Sequence, residues 1–373
     1  MKVVKSRKIS DRIEKEMAKV GIESFLNTAV ILPVTQNEVV FKERGKLLDA
    51  AADFQKQMRA QGLIYSEDES LIGAMLVAMF NEKGNLNEQS PLFLNLLIKN
   101  SFVFHRDEIE ENPYYQTIQF EDVQAGKYTL GHNTYQKYEL FQCDLVEVAG
   151  MVHIPRLATF DHRFKYPSIM ENDETWMSVT PGKLKTMEEP ILHAKGKVLT
   201  LGLGMGYYAF MVSEKEDVEQ VTIVEQSEEV ISLFKQYILP QFPHKEKITI
   251  IKADAIEYLK ELPDATYDYC FADIWIGTMD YVPYLRMRSV AKKFTRMQME
   301  YWIQDALDFT VGMSVFKLIL STHDGMADTE KYLEELTEEE RYLDQLLKDV
   351  TIQTPEELEH YLKPESVIEL ISQ

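Results

Sequence analysis

Between residues 196 and 273 the chain repeats one pattern: KVLTLG, QVTIVE, KITIIKAD and YDYCFAD are short apolar runs separated by segments that each have room for a helix. Parallel strands cannot be joined by a tight turn, so this alternation predicts a parallel sheet with crossover helices. The predicted fold class is α/β, a doubly wound, mainly parallel sheet. Ligands of such sheets sit beyond the carboxyl ends of the strands, so the residues that close each run are the candidate site.

The first run closes on GLGMG, placing Gly202, Gly204 and Gly206 where a tight turn lets backbone amides approach a polar ligand group. A plain tight turn is the competing reading. A dinucleotide fingerprint would want its third glycine at the position of Tyr207, and no Gly-Lys-Ser/Thr phosphate loop follows, which argues against NAD, FAD and a P-loop nucleotide. The second run ends on Glu225, 23 residues after Gly202, where a carboxylate can accept from both hydroxyls of a ribose. The third ends near Asp254, which can accept from an exocyclic adenine amine while the Ala255 amide donates to a ring nitrogen. The fourth ends on Asp273. Each acid alone reads equally well as a helix N-cap, and together they favour an adenosine ligand.

VLTLGLGMG, VTIVEQSEEVI, IKADAIEYL and YDYCFADI, in this order, resemble the class I S-adenosylmethionine-dependent methyltransferases, and within them the spermidine synthase-like branch. The resemblance covers roughly residues 160 to 280. It implies a Rossmann-like fold with S-adenosyl-L-methionine as cofactor. Gly202, Leu203, Gly204 and Gly206 would pass its methionine part, Glu225 with Gln226 would bind the ribose, Asp254 and Ala255 would hold the adenine, and Asp273 would line the reacting centre as the candidate catalytic base. Two departures bear on the reaction. Aminopropyl-transferring relatives carry an aspartate at the position of Met205, to pair with a decarboxylated cofactor's ammonium, and a second at that of Ile276, to hold a polyamine amine. Their absence here favours methyl transfer to a small-molecule acceptor. The alternatives are an aminopropyl- or aminocarboxypropyl-transferase of the spermidine synthase-like type, and a non-catalytic module that kept the nucleotide fold.

Substrate-facing candidates are Asp173, Glu174 and Trp176 in MENDETWMSVTPGK, which sits where the synthase branch closes its site, and Trp275 and Tyr281 just after Asp273. An ordinary turn before a helix capped by Thr180, and simple aromatic packing, are the competing readings.

Around this core, residues 1–112 read as a helical N-terminal domain, 113–180 as a small β-rich element with the segment leading into the site, 181–285 as the cofactor-binding α/β domain, and 286–373 as a helical C-terminal extension. Capping boxes are expected at Ser66/Glu69, Thr337/Glu340 and Thr354/Glu357. After about Pro283 GMSVFKLIL is the single candidate for a further strand, and it fits a helix equally well.

A net charge of −21 disfavours nucleic acid and anionic membrane surfaces as partners. Residues 328–373 carry fourteen acids against four bases, while Arg286, Arg288, Lys292, Lys293 and Arg296 cluster without an acid. That basic run reads either as an anion site or as the counterpart of the acidic tail. The histidines show no metal-ligand spacing, so no metal is expected. Cys143 and Cys270 read as reduced and buried. Leu71 to Phe80 is too short an apolar run to span a bilayer, and the basic N-terminus lacks the apolar core of a secretory signal, so a cytoplasmic protein is expected, with a homodimer as its compatible assembly.

Overall fold

A computed structural model describes residues 1–26, 30, 34, 44–83, 90–105, 109–148, 152–172, 174–324 and 334–372. Two compact units divide the chain, one built from Met1–Val20 and Met187–Gln373, the other from Gly21–Thr186.

The first unit is organised on a five-stranded, all-parallel sheet. In chain order its strands are β9 (Gly196–Leu201), β10 (Val218–Glu225), β11 (Ile248–Lys252), β12 (Tyr269–Ala272) and β13 (Gln298–Tyr301), and they lie side by side as β11-β10-β9-β12-β13. The chain winds outward from β9 in one direction and then crosses back to continue in the other. This is the doubly wound arrangement predicted from the alternation. All four residues of β12 are buried, as are the last four of β9 and the last five of β10, as expected for strands covered on both faces.

The sheet does not end with the last recognisable motif. β13 reads QMEY, one exposed and three half-buried residues on an edge, too short and too polar to signal a strand, and its register is set by β12, with Tyr269 opposite Gln298 and Ala272 opposite Tyr301. The segment GMSVFKLIL is helical, part of Gln304–His323, whose Leu307, Val311, Val315, Phe316, Leu318 and Ile319 repeat at helical spacing and are buried. These side chains share one core with Leu199 and Leu201 of β9, with Leu343, Leu358 and Val367 of the acidic tail, and with Ile9 and Ile13 near the N-terminus. Residues beyond 285 are therefore built into the α/β core. So are the first twenty residues, which sequence reading grouped with the N-terminal helices: β1 (Lys2–Val3) pairs in parallel with β14 (Thr351–Ile352), and the helix starting at Arg7 adds its apolar face.

The Thr337/Glu340 and Thr354/Glu357 boxes both form, the second with Pro355 opening its helix. Of the basic run, Arg288 pairs with an acid of the tail. Arg288 meets Glu365 at 3.0 Å and Asp308 at 3.2 Å, and Arg286 lies over the Tyr342 ring at 5.2 Å.

In the second unit, helices Arg44–Ala60, Glu67–Lys83 and Ser90–Lys99 bury a core around Ile72, Met75, Leu76, Leu97 and Ile98. Glu67–Lys83 begins at the expected box, Ser66 and Glu69 each accepting the other's backbone N–H. In place of one small β-rich element, two sheets form. β3 (Val123–Ala125), β4 (Tyr128–Tyr135), β7 (Phe164–Glu171) and β8 (Glu174–Ser178) make an antiparallel sheet in the order β3-β4-β7-β8. β2 (Phe102–Phe104), β6 (Val152–Phe160) and β5 (Phe141–Val148) make a mixed one, because β2 arrives from the helical segment and pairs in parallel with β6. Lys183 N–H donates to Thr180 Oγ1 at 3.2 Å, so the predicted cap before Pro181 is present. Cys143 and Cys270 are buried and outside any disulfide. No helix among the described residues is long and apolar enough to cross a membrane.

Candidate functional site

Register brings the predicted residues to one edge of the first unit's sheet. Leu201 of β9 lies level with Val224 of β10 and Ala272 of β12, so Gly202, Glu225 and Asp273 leave three adjacent strands together. Lys252 is opposite Glu225, and Asp254 follows two residues on. Pairing continues past the strand ends: Gly202 N–H donates to Val224 O at 2.9 Å, Asp273 N–H to Leu201 O at 2.8 Å, and Ala253 N–H to Glu225 O at 3.1 Å. The row of acids is thus fixed by backbone bonds.

The glycine turn has reasons of its own. Gly202 has φ +94°, and a Cβ there would stand 2.1 Å from the carbonyl oxygen of Asp273, so the close passage of two strand ends requires glycine. Gly206 has φ +76°, and a Cβ would meet the Phe234 ring at 2.3 Å. Gly204 is also left-handed, at φ +52°. The tight-turn reading therefore holds for Gly202 and Gly206 whatever the turn binds. Tyr207 and Tyr208, which open the next helix, are buried, Tyr208 stacking on Phe271 at 4.3 Å. Met205 is buried, while Ile276 is 78% exposed.

Glu225 is the anchor of the turn. Its carboxylate, 8% exposed, accepts the Leu203 N–H at 3.2 Å and the Ser227 N–H at 2.8 Å, tying the glycine loop to the end of β10. Charge-assisted bonds of this kind are the stronger ones, and they make Glu225 structural as well as a candidate ligand group. A carboxylate has about four acceptor sites, so two bonds leave capacity for a vicinal diol. Gln226, beside it, is exposed. Asp254 is exposed and caps Ala255–Glu261, its Oδ1 accepting the Glu257 N–H at 2.9 Å. The N-cap reading is thus realised there. The amide of buried Ala255, in the first turn of that helix, has no partner within the helix by construction. Asp273 is half-buried. An acceptor pair at Glu225, an acceptor and an amide at Asp254 and Ala255 on one side of it, and a left-handed glycine turn on the other form a set of polar groups that fits an adenosine-bearing cofactor.

The substrate candidates are distributed differently. Trp275 is 4% exposed, donates its indole N–H to Trp302 O at 3.1 Å and packs edge-on to Tyr284; Tyr281 is fully buried. Both are core aromatics of the first unit. Glu174, exposed, and Trp176, stacked on Tyr128 at 4.7 Å, belong to β8 of the second unit. Asp173 lies outside the described residues. Motif reading passed over Asp280, whose carboxylate accepts the Ile276 N–H at 3.2 Å and so shapes the loop after Asp273. Its signal was an acid just before the helix-forming YVPYLRM, where it would pass for a cap, yet it makes no side-chain cap bond.

Residues 185–338, less than half of the 373, match the family model described as the spermine/spermidine synthase domain. The matched stretch holds the glycine turn and all three strand-end acids. Over it, the chain is similar to that domain. No curated protein matches the sequence. Among solved structures, a spermidine synthase from Thermotoga maritima is 15% identical, with 42% of this chain and 60% of that one covered, at a TM-score of 0.29. A spermidine synthase in complex with the transition-state analogue AdoDATO is 16% identical over 43% and 59%, also at 0.29. A precorrin-6y C5,15-methyltransferase from Geobacter metallireducens is 15% identical over 37% and 72%, at 0.27. The chain spans about three fifths of the length of these two synthases.

Proposed function

We propose that the first unit is a transferase that binds S-adenosyl-L-methionine and methylates a small-molecule acceptor. The observation that carries this reading is the fixed row of Glu225, Asp254 and Asp273 beside the glycine turn, inside the matched domain. The cofactor supplies an electrophilic methyl group on a sulfonium. Glu225 would take the ribose hydroxyls while holding the turn through Leu203, and Asp254 with the Ala255 amide would take the adenine. Asp273 would receive the proton that the acceptor's nitrogen or oxygen gives up as its bond to the methyl carbon forms and the carbon–sulfur bond breaks. Orienting nucleophile and sulfonium in line is the larger part of such catalysis.

Met205 and Ile276 favour methyl transfer, since buried and exposed apolar side chains offer a cofactor or substrate ammonium no carboxylate. The family description favours the second reading, aminopropyl transfer from decarboxylated S-adenosylmethionine. Calorimetric titration of the full chain with S-adenosylmethionine, its decarboxylated form, 5′-methylthioadenosine and NADH separates them. S-adenosylmethionine is expected to bind tightest, and Glu225→Gln to weaken it by about tenfold or more, the loss of a hydrogen bond to a charged group. Tightest binding of the decarboxylated form would establish the second reading instead. Absence of binding by every adenosyl ligand would overturn both.

A further inference from the structure

The second unit holds a cavity of about 590 Å³ lined in part by Asn133, Tyr135, Glu139, Phe141, Cys143 and Tyr166. Its volume is that of a small-ligand site. Glu139 gives it a definite chemistry. The residue is 7% exposed, one carboxylate oxygen accepts the Gln136 N–H at 2.6 Å, and no Lys, Arg or His among the described residues pairs with it. Burial raises its pKa, the response of a carboxylate taken from water without a counter-ion. Three aromatic rings line the cavity with it: the Tyr135 ring stacks on Phe141 at 4.1 Å and lies 4.8 Å from Tyr166. Burial first, with the nearby charge of Glu139 among the further causes, raises the pKa of both the Tyr135 and the Tyr166 hydroxyls.

A buried anion amid ring faces costs stability unless something positive completes it. Aromatic faces attract organic cations, and a carboxylate oxygen can take a hydrogen bond from an ammonium N–H. A metal ion fits less well, because no group of three or more His, Cys, Asp or Glu side chains among the described residues converges to hold one. We propose that this cavity binds an organic ammonium bearing at least one N–H, with Glu139 as its counter-ion and Tyr135, Phe141 and Tyr166 as its walls. The assignment is independent of the transferase reading, since every residue in it belongs to the second unit.

The test uses the full chain and calorimetry at constant ionic strength, with butylammonium, 1,4-diaminobutane, tetramethylammonium and butyrate as probes. Butylammonium or 1,4-diaminobutane should bind, tetramethylammonium at least tenfold more weakly, and butyrate not at all. Glu139→Gln keeps the shape and one acceptor for the Gln136 N–H while removing the charge. It should weaken ammonium binding at least tenfold and, without probe, raise the melting temperature. A carboxylate with a purely structural role would give the opposite, a lowered melting temperature with binding unchanged. Tyr166→Leu, which removes one ring face, should weaken binding with Glu139 intact. Failure of both amines to bind, or binding indifferent to Glu139→Gln, would overturn the assignment.

Discussion

Replacing Gly202 by alanine separates a glycine kept for its ligand from a glycine kept for the chain. A left-handed backbone costs a non-glycine residue about 1–2 kcal/mol. The new Cβ would stand 2.1 Å from the Asp273 carbonyl oxygen, against the 3.0 Å below which Cβ contacts are essentially never seen, so one strand end must move by about an ångström. That movement strains the Asp273 N–H bond to Leu201 O and the Gly202 N–H bond to Val224 O, at 2.8 and 2.9 Å, each contributing about 0.5–1.5 kcal/mol. The combined loss is about 3 kcal/mol, which for a unit of this size lowers the melting temperature by roughly 10 °C. Scanning calorimetry reads it. Gly277→Ala is the internal control: a Cβ there meets nothing within 4 Å, and the variant should melt within a degree or so of the parent, as neutral surface substitutions do. If Gly202→Ala also melts with the parent and loses only adenosyl-ligand affinity, the packing argument is refuted.

Two further predictions concern charge. His105 donates toward Asp161 at 3.0 Å and Asp68 at 3.1 Å, and these hydrogen bonds raise its pKa from 6.5 to about 9. The folded value lies above the unfolded one, so its stabilisation is complete below pH 6.5 and is lost as pH rises through 9; because the ring is half exposed, it amounts to about 1 kcal/mol at most. His105→Gln should shift the urea midpoint of the second unit at pH 6 and leave it unmoved at pH 10, and an equal shift at both would count against the pairing. Arg288 donates to the Tyr284 hydroxyl at 2.8 Å and pairs with Asp308, whose pKa is raised, first of all by burial. Arg288→Met should destabilise the first unit by about 2 kcal/mol at neutral pH, less than a fully buried pair would lose. The deficit should shrink as pH falls and Asp308 takes up a proton, and a deficit constant with pH in chemical denaturation would contradict this account.

The parallel sheet was legible because strands buried on both faces must read as apolar runs, and because Gly202, Glu225, Asp254 and Asp273 close those runs where ligands of such sheets bind. The capping boxes were legible for a similar reason: Ser66/Glu69, Thr337/Glu340 and Thr354/Glu357 satisfy backbone groups three residues away, so the whole interaction lies within one short stretch. β13 was not legible, since a four-residue edge strand with no buried residue takes its identity from its pairing with β12.

Local sequence, then, determined the sheet's class, its glycine turn and its row of acids, all of which depend on neighbours a few residues apart. Tertiary structure alone decided that the first twenty residues and the acidic tail complete the α/β core, that Trp275 and Tyr281 pack inside it, and that Glu225 clamps Leu203. It also decided that Glu139 is buried in a cavity it lines together with Tyr135, Phe141 and Tyr166, with no Lys, Arg or His among the described residues paired with it. Those facts depend on which distant residues share a burial site, and burial, unlike periodicity, is written in no single segment of the chain.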